Sequence, residues 1–186
     1  MTDSADFSDS ATIGKGITMF FEDDLKRLVS REGADDEHFF VAPHWHEEHD
    51  EIMSILEGKL KITVGSEVRI CTPETGDCFI PRRVPHSLEA FKFVPVVFTE
   101  RTNPSRLSKN KELFFRNLFV TPGALTGSLG FLQTMLVFYH GDLYPTFPIH
   151  LAWLEKAFVT FIGGYVAPLL GHRVAYKSLE DVKKLR

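Results

Sequence analysis

The sequence predicts a mainly β domain, a small barrel or jelly roll, followed by a helical extension. Three observations carry this expectation. Residues 17–102 read as short β-like runs separated by glycine, proline and clusters of charge. Within them, Lys59-Leu60-Lys61-Ile62-Thr63-Val64 alternates polar and apolar side chains, which sets one face of a strand against a core. Near Pro104 the character changes, and from Ser108 onward the reading is helical.

The predicted strands fall at residues 17–21, 38–46, 51–56, 59–64, 67–72, 78–81, 87–93 and 96–102. Glu57-Gly58 and Val64-Gly65-Ser66-Glu67 supply turns between them. In the helical part, Thr121 followed by Pro122 is an N-cap with proline at the first helical position, opening a helix over 123–139. A second helix is expected over 149–162, ended by Gly163-Gly164, and Ser178 with Asp181 reads as the capping box of a short last one. The opening residues, with Asp3, Asp6 and Asp9, read as a flexible acidic tail. The expected plan is a tail over 1–12, a barrel over 13–104, and an extension over 105–186 that packs on the barrel or forms an oligomer interface.

Composition narrows the function classes. A chain of 186 residues, 44% apolar and 25% charged, supports one packed domain. With 21 Lys and Arg against 25 Asp and Glu, the net charge of -4 argues against a nucleic-acid partner. Cys71 and Cys78, the two cysteines, flank a turn-like stretch and are expected to be reduced, packed thiols. The acidic N-terminus has no basic region of the kind a secretory or transit signal carries, so a cytoplasmic location is expected. Residues 117–141 contain no Asp, Glu, Lys or Arg, which is long enough to cross a bilayer. Pro122, several glycines and Gln133 interrupt that stretch, and Glu155 with Lys156 sits inside the next helix. Helices lying on the barrel or on a second subunit explain the pattern better than a membrane span, and a homodimer is expected.

The chemistry concentrates in Pro43-His44-Trp45-His46-Glu47-Glu48-His49-Asp50-Glu51. Residues two apart on a strand point the same way, so His44 and His46 can hold one metal together. Glu51 begins the next strand, placed to swing back toward the same point, and His86 arrives from a later strand after the rigid Val84-Pro85 step. Three imidazoles and one carboxylate suit a divalent Fe, Mn, Ni, Cu or Zn ion. A His-x-His pair by itself is weak, because eight histidines in 186 positions supply one readily by chance.

The surrounding order is more specific. His44-x-His46, then Glu51 and Gly58, followed by Gly76-Asp77, Ile80-Pro81 and Pro85-His86, resembles the two motifs of the cupin superfamily. The resemblance covers residues 37–101 and leaves out the helical third. It implies a jelly-roll β-barrel with His44, His46, Glu51 and His86 as metal ligands. Phe39-Phe40-Val41-Ala42-Pro43 stands where the family often has a glycine, and Ala90 follows the second motif at a variable position. Neither departure removes a ligand.

Alternation from these ligands selects the remaining pocket. With His44 and His46 inward, Phe40 and Ala42 share their face; Met53 and Ile55 follow Glu51, and Leu88 and Ala90 follow His86. These neighbours are apolar, so a dry cavity for a small, largely apolar or aromatic molecule is expected. Arg82 and Arg83 lie near the rim, where one is placed to hold a substrate carboxylate. His49, among Glu47, Glu48 and Asp50, reads as part of a solvated turn. His38, His140, His150 and His172 read as strand-start, edge or capping groups. The family resemblance implies three outcomes: an oxidative, dioxygenase-type enzyme, a non-redox isomerase, cyclase or decarboxylase of a polyketide-like metabolite, or a non-catalytic small-ligand barrel. The first is slightly favoured.

Overall fold

The computed structural model describes residues 9–22, 25–120 and 127–175. Their strands form two antiparallel sheets. One sheet has six strands in the order β1 (Ser10–Gly14), β2 (Ile17–Glu22), β3 (Leu25–Ser30), β10 (Val96–Asn103), β5 (Asp50–Glu57) and β8 (Asp77–Ile80). The other has five, in the order β11 (Tyr144–Pro145), β4 (Phe40–Trp45), β9 (His86–Ala90), β6 (Leu60–Val64) and β7 (Glu67–Cys71). From β3 to β10 the chain passes back and forth between the sheets, which is jelly-roll connectivity.

Alternation sets the core between them. On β5, Met53 and Ile55 are buried while Ile52 and Ser54 are less so, and on β6 Leu60 and Ile62 are buried while Lys61 and Thr63 turn outward. Phe39, Leu88, Val96 and Phe98 join the same cluster. The turn from β5 to β6 requires Gly58: its φ is +73°, and a Cβ there would stand 2.0 Å from the Pro95 carbonyl oxygen.

Each of the eight expected strands is present, and β1, β3 and β11 are additional. β1 begins at Ser10, within the span read as a tail. β3 hides from an alternation reading because its inward positions include Lys26, which is 2% exposed and lies opposite Glu100 of β10. The cysteines also differ from expectation. Cys71 and Cys78 form a disulfide rather than two free thiols. They end β7 and enter β8, strands of different sheets, so the short turn between them folds both buried side chains toward one another.

The helical part contains α1 (Ser108–Val120), α2 (Gly127–Gly141) and α3 (Ala152–Phe161). The Thr121-Pro122 cap and the Ser178–Asp181 box lie outside the described residues. Gly163-Gly164 does not end the second predicted helix. The helix runs on through a π turn at Ile162–Val166 and a last turn at Ala167–Leu169. The glycines serve packing instead: a Cβ at Gly163 would lie 2.0 Å from the Met135 carbonyl oxygen, and one at Gly164 would meet the Tyr139 ring at 2.8 Å. Both contacts are with α2, so the absent side chains let the two helices touch closely.

Helices and sheets are joined at β4. β11 extends the sheet edge, pairing Tyr144 with Trp45 and Pro145 with His44. The Trp45 and Tyr144 rings stack at 4.5 Å, over Met135 and Val159. Glu155 of α3 is fully buried and accepts hydrogen bonds from Trp45 Nε1 at 2.7 Å and from the Phe147 N–H at 2.8 Å. Among the described residues, no helix is long and apolar enough to cross a membrane.

Candidate metal centre

The strand order delivers four donors to one point. β4 and β9 are neighbours, and their register sets His44 directly opposite His86. His46 follows the end of β4, where its carbonyl accepts the Arg83 N–H at 2.6 Å, and Glu51 points in from β5 of the facing sheet. The ligating atoms of His44, His46, Glu51 and His86 lie within 4.8 Å of one another, and all four residues are buried. The His46 Nε2–Glu51 Oε1 distance is 2.9 Å and the His86 Nε2–Glu51 Oε2 distance is 3.2 Å. Two atoms bound to one first-row metal stand roughly 3 Å apart, so the spacing is that of a coordination sphere.

The protonation pattern makes the fit specific. His44 Nδ1 donates to the Ala42 carbonyl at 2.9 Å, His46 Nδ1 to the Asp142 carbonyl at 2.7 Å, and His86 Nδ1 to the Val84 carbonyl at 3.0 Å. A carbonyl oxygen only accepts, so each Nδ1 carries the hydrogen, and in the neutral ring each Nε2 presents a lone pair. Burial, with the neighbouring His86 and His46, holds His44 well below the usual imidazole range; burial and Lys111 bring His46 down to about 3. Those two rings are therefore neutral at physiological pH. Three lone pairs thus converge on a carboxylate, and His86 Nε2 has no hydrogen-bond partner among the described residues. A buried cluster of acceptors calls for a cation.

The helical part supplies one. Lys111 of α1, 5% exposed, places its Nζ 2.6 Å from Glu51 Oε1, 3.2 Å from His46 Nε2 and 3.3 Å from His49 Nε2. Burial works against its charge, but Glu51 and Glu100 outweigh that and hold its pKa above the ordinary lysine value. Burial alone would push Glu51 up, yet Lys111 and His46 hold it well below the carboxylate range. Glu100 is pushed up, by burial and then by the charge of Glu51.

His49 is not part of a solvated turn. It is buried, and its Nδ1 donates to Asp142 Oδ2 at 3.2 Å. The same carboxylate accepts the Glu47 and Glu48 N–H groups at 3.1 and 2.9 Å. Asp142, just beyond α2, therefore ties down the loop between the ligating strands. Burial opposes the His49 charge, but its bonds to Asp142 and Glu51 leave its pKa raised.

A cavity of about 160 Å³ opens from the site. Phe39, Val41, Leu88 and Phe98 line its sheet side, and Phe114, Phe115 and Phe119 of α1 roof it. His44, Glu51, Glu100 and Lys111 form its polar end. A more open cleft of about 390 Å³, bordered by Thr146 and Phe147, reaches His86.

The predicted pocket residues divide. Leu88 lines the cavity. Phe40 is 55% exposed, and Ala42 also faces out, because a register shift between Val41 and His44 breaks the alternation and turns Phe39 and Val41 inward instead. Met53, Ile55 and Ala90 are buried in the core between the sheets and do not line the cavity. Arg82 is committed elsewhere: its Nε and Nη2 each donate to Asp50 at 2.9 Å, and this pairing brings the Asp50 carboxyl down to about 2. Lys111, His49, Glu100 and Asp142 were not singled out by the sequence. Lys111 stands in the sequence among Lys109, Asn110 and Glu112, so nothing in the pattern separates it from an ordinary solvated helix start.

Both motifs thus meet on facing sheets of a jelly roll. The fold is a jelly roll of two antiparallel sheets. Solved structures similar to this chain include KdgF from a Halomonas species, at 21% identity and a TM-score of 0.39, covering 51% of this chain and 86% of that one. An RmlC-like cupin from Shewanella frigidimarina matches at 18% identity and a TM-score of 0.37, over 53% and 85% of the two chains. The oxalate decarboxylase OxdC of Bacillus subtilis matches at 20% identity and 0.36, over 46% of this chain and 25% of that one. No protein-family model and no curated protein matches the chain.

Proposed function

We propose that the protein is a metal-dependent enzyme that holds one divalent transition metal on His44, His46, Glu51 and His86. Its substrate is a small, largely apolar or aromatic molecule. The observation that carries the reading is the set of three Nε2 atoms, each left with its lone pair by an Nδ1–carbonyl hydrogen bond, around a buried carboxylate. A redox-active ion there supplies oxidative, dioxygenase-type chemistry, which we favour over Lewis-acid isomerisation or decarboxylation. The chain's own residues do the rest. Phe39, Val41, Leu88, Phe114 and Phe115 exclude water and select an apolar body, while Lys111 and Glu100 offer hydrogen-bonding groups at the end nearest the ligands.

The helical part belongs to this functional unit and also to a homodimer interface. Trp153, Phe161, Tyr165, Leu169 and Leu170 are between 61% and 86% exposed along α3 and its continuation. With Ile149, Leu151 and Leu154 they expose roughly 1,000 Å², about what one partner contributes to a standard interface.

The test is metal analysis of protein purified without added metal, with oxygen uptake followed on candidate aromatic substrates. One ion per chain in the wild type, and none in His44→Ala or Glu51→Ala, supports the centre. Substrate turnover without oxygen consumption turns the reading to the non-redox class. Absence of a stoichiometric ion from the reconstituted wild type removes the metal centre.

A further inference from the structure

Lys111 stands on the donors that a metal would use. An imidazole nitrogen has one lone pair, and that of His46 Nε2 already faces the Lys111 ammonium at 3.2 Å. Glu51 Oε1 accepts from the same ammonium at 2.6 Å, and His49 Nε2 lies 3.3 Å from it. The lysine is 5% exposed, so its charge depends on these partners. A divalent ion bound to His46 and Glu51 takes over both of those acceptors and sets a second positive charge within a few ångströms of the first.

We propose that Lys111 is a built-in competitor of the metal: its ammonium satisfies His46 and Glu51 in the metal-free protein, metal binding displaces it, and it thereby sets how tightly the centre holds its ion. This rests on the metal-centre reading above. The displaced ammonium has a place to go. Glu100 Oε1 lies 3.4 Å from Nζ, is buried, and accepts no hydrogen bond among the described residues. Glu100 draws the ammonium toward the wall of the apolar cavity that it shares with Lys111. The metal-free protein is therefore stable with its four donors assembled, and metal occupancy decides whether Lys111 serves the ligands or the cavity.

The experiment is competition for Zn²⁺ between a chromophoric chelator and the full-length protein, as wild type, Lys111→Met and Lys111→Arg. Methionine keeps the length of the stem and removes the charge. Lys111→Met is expected to hold one Zn²⁺ at least tenfold more tightly than wild type, and Lys111→Arg no more tightly. Equal or weaker binding by Lys111→Met, with both proteins taking one ion, overturns the proposal and leaves the metal centre standing. Failure of wild type and Lys111→Met alike to bind one ion overturns the metal centre itself, and the competitor with it. Should Lys111→Met not fold, the wild type answers by NMR. The lysine ammonium signal that is missing in Lys111→Arg must shift as one equivalent of Zn²⁺ binds, and a signal unmoved by bound Zn²⁺ overturns the proposal.

Discussion

The strand β4–β5 region and the α1–α2 region build one site by different rules. On the strands, His44, His46 and Glu51 lie within eight residues of one another, and backbone register places them. On the helices, Lys111 and Asp142 are 31 positions apart in sequence and reach the same histidines because their helices dock on the sheets. The strands supply the lone pairs, and the helices supply the ammonium and the brace. Ligands come from a local pattern, whereas control of those ligands comes from packing.

The largest effect that can break this division is on the charge shared between the regions. Glu51→Ala leaves Lys111 buried without its closest acceptor and should cost about 3–5 kcal/mol in the metal-free protein. Urea unfolding in a chelator measures it. A loss under about 1 kcal/mol would show that the helices do not depend on the strand charge.

Gly163→Ala tests whether the helical body stands on its own packing. Its Cβ would overlap the Met135 carbonyl and the Tyr139 side chain, so a loss of about 2–3 kcal/mol is expected in thermal unfolding. His44 and His46 are remote in sequence from this contact. Weakened metal binding in the same variant would mean that the strain passes to the ligating strand through Trp45, which packs with Met135.

Asp142→Asn is milder. Asparagine tolerates the φ of +60° at this position, so the change removes charge without straining the backbone. The bonds to Glu47, Glu48 and His49 weaken, and a loss of about 1–2 kcal/mol is expected by urea unfolding. The carbonyl that orients His46 is backbone and persists, so metal binding should weaken less than in His44→Ala.

The smallest effect lies within the strand region. Asp50, held near 2 by Arg82, contributes stability that is present above the usual carboxylate pKa, near 4, and is lost as pH falls toward 2. Arg82 is 42% exposed at its side chain, so screening limits the contribution to about 1 kcal/mol or less. Asp50→Asn should flatten that part of the stability curve between pH 4 and 2. An unchanged acid limb would assign it to Glu51 and Asp142, whose pKa values are also lowered.

The legible part of the site is the part built by short-range periodicity. His44 and His46 share a face because β residues two apart do, and Leu60 and Ile62 share the core for the same reason. The same rule misplaced Phe40 and Ala42, because a bulge shifts the alternation by one residue and no residue type announces it. His49 read as solvated from its acidic neighbours, yet Asp142 draws it inside from 93 positions away. Gly163-Gly164 read as a stop, since glycine ends isolated helices, but in contact with α2 its lack of a side chain favours packing more than its flexibility favours termination.

The sequence by itself determined the mainly β class, the eight central strands and the four donors of the candidate centre, because strand periodicity and motif order are local properties. Only the tertiary structure decided that Lys111 fills the donor cluster, that Asp142 braces it, and that α1 roofs an apolar cavity. Those depend on how an apolar helix face docks on a sheet, and docking is governed by shape and burial summed over residues far apart in the chain.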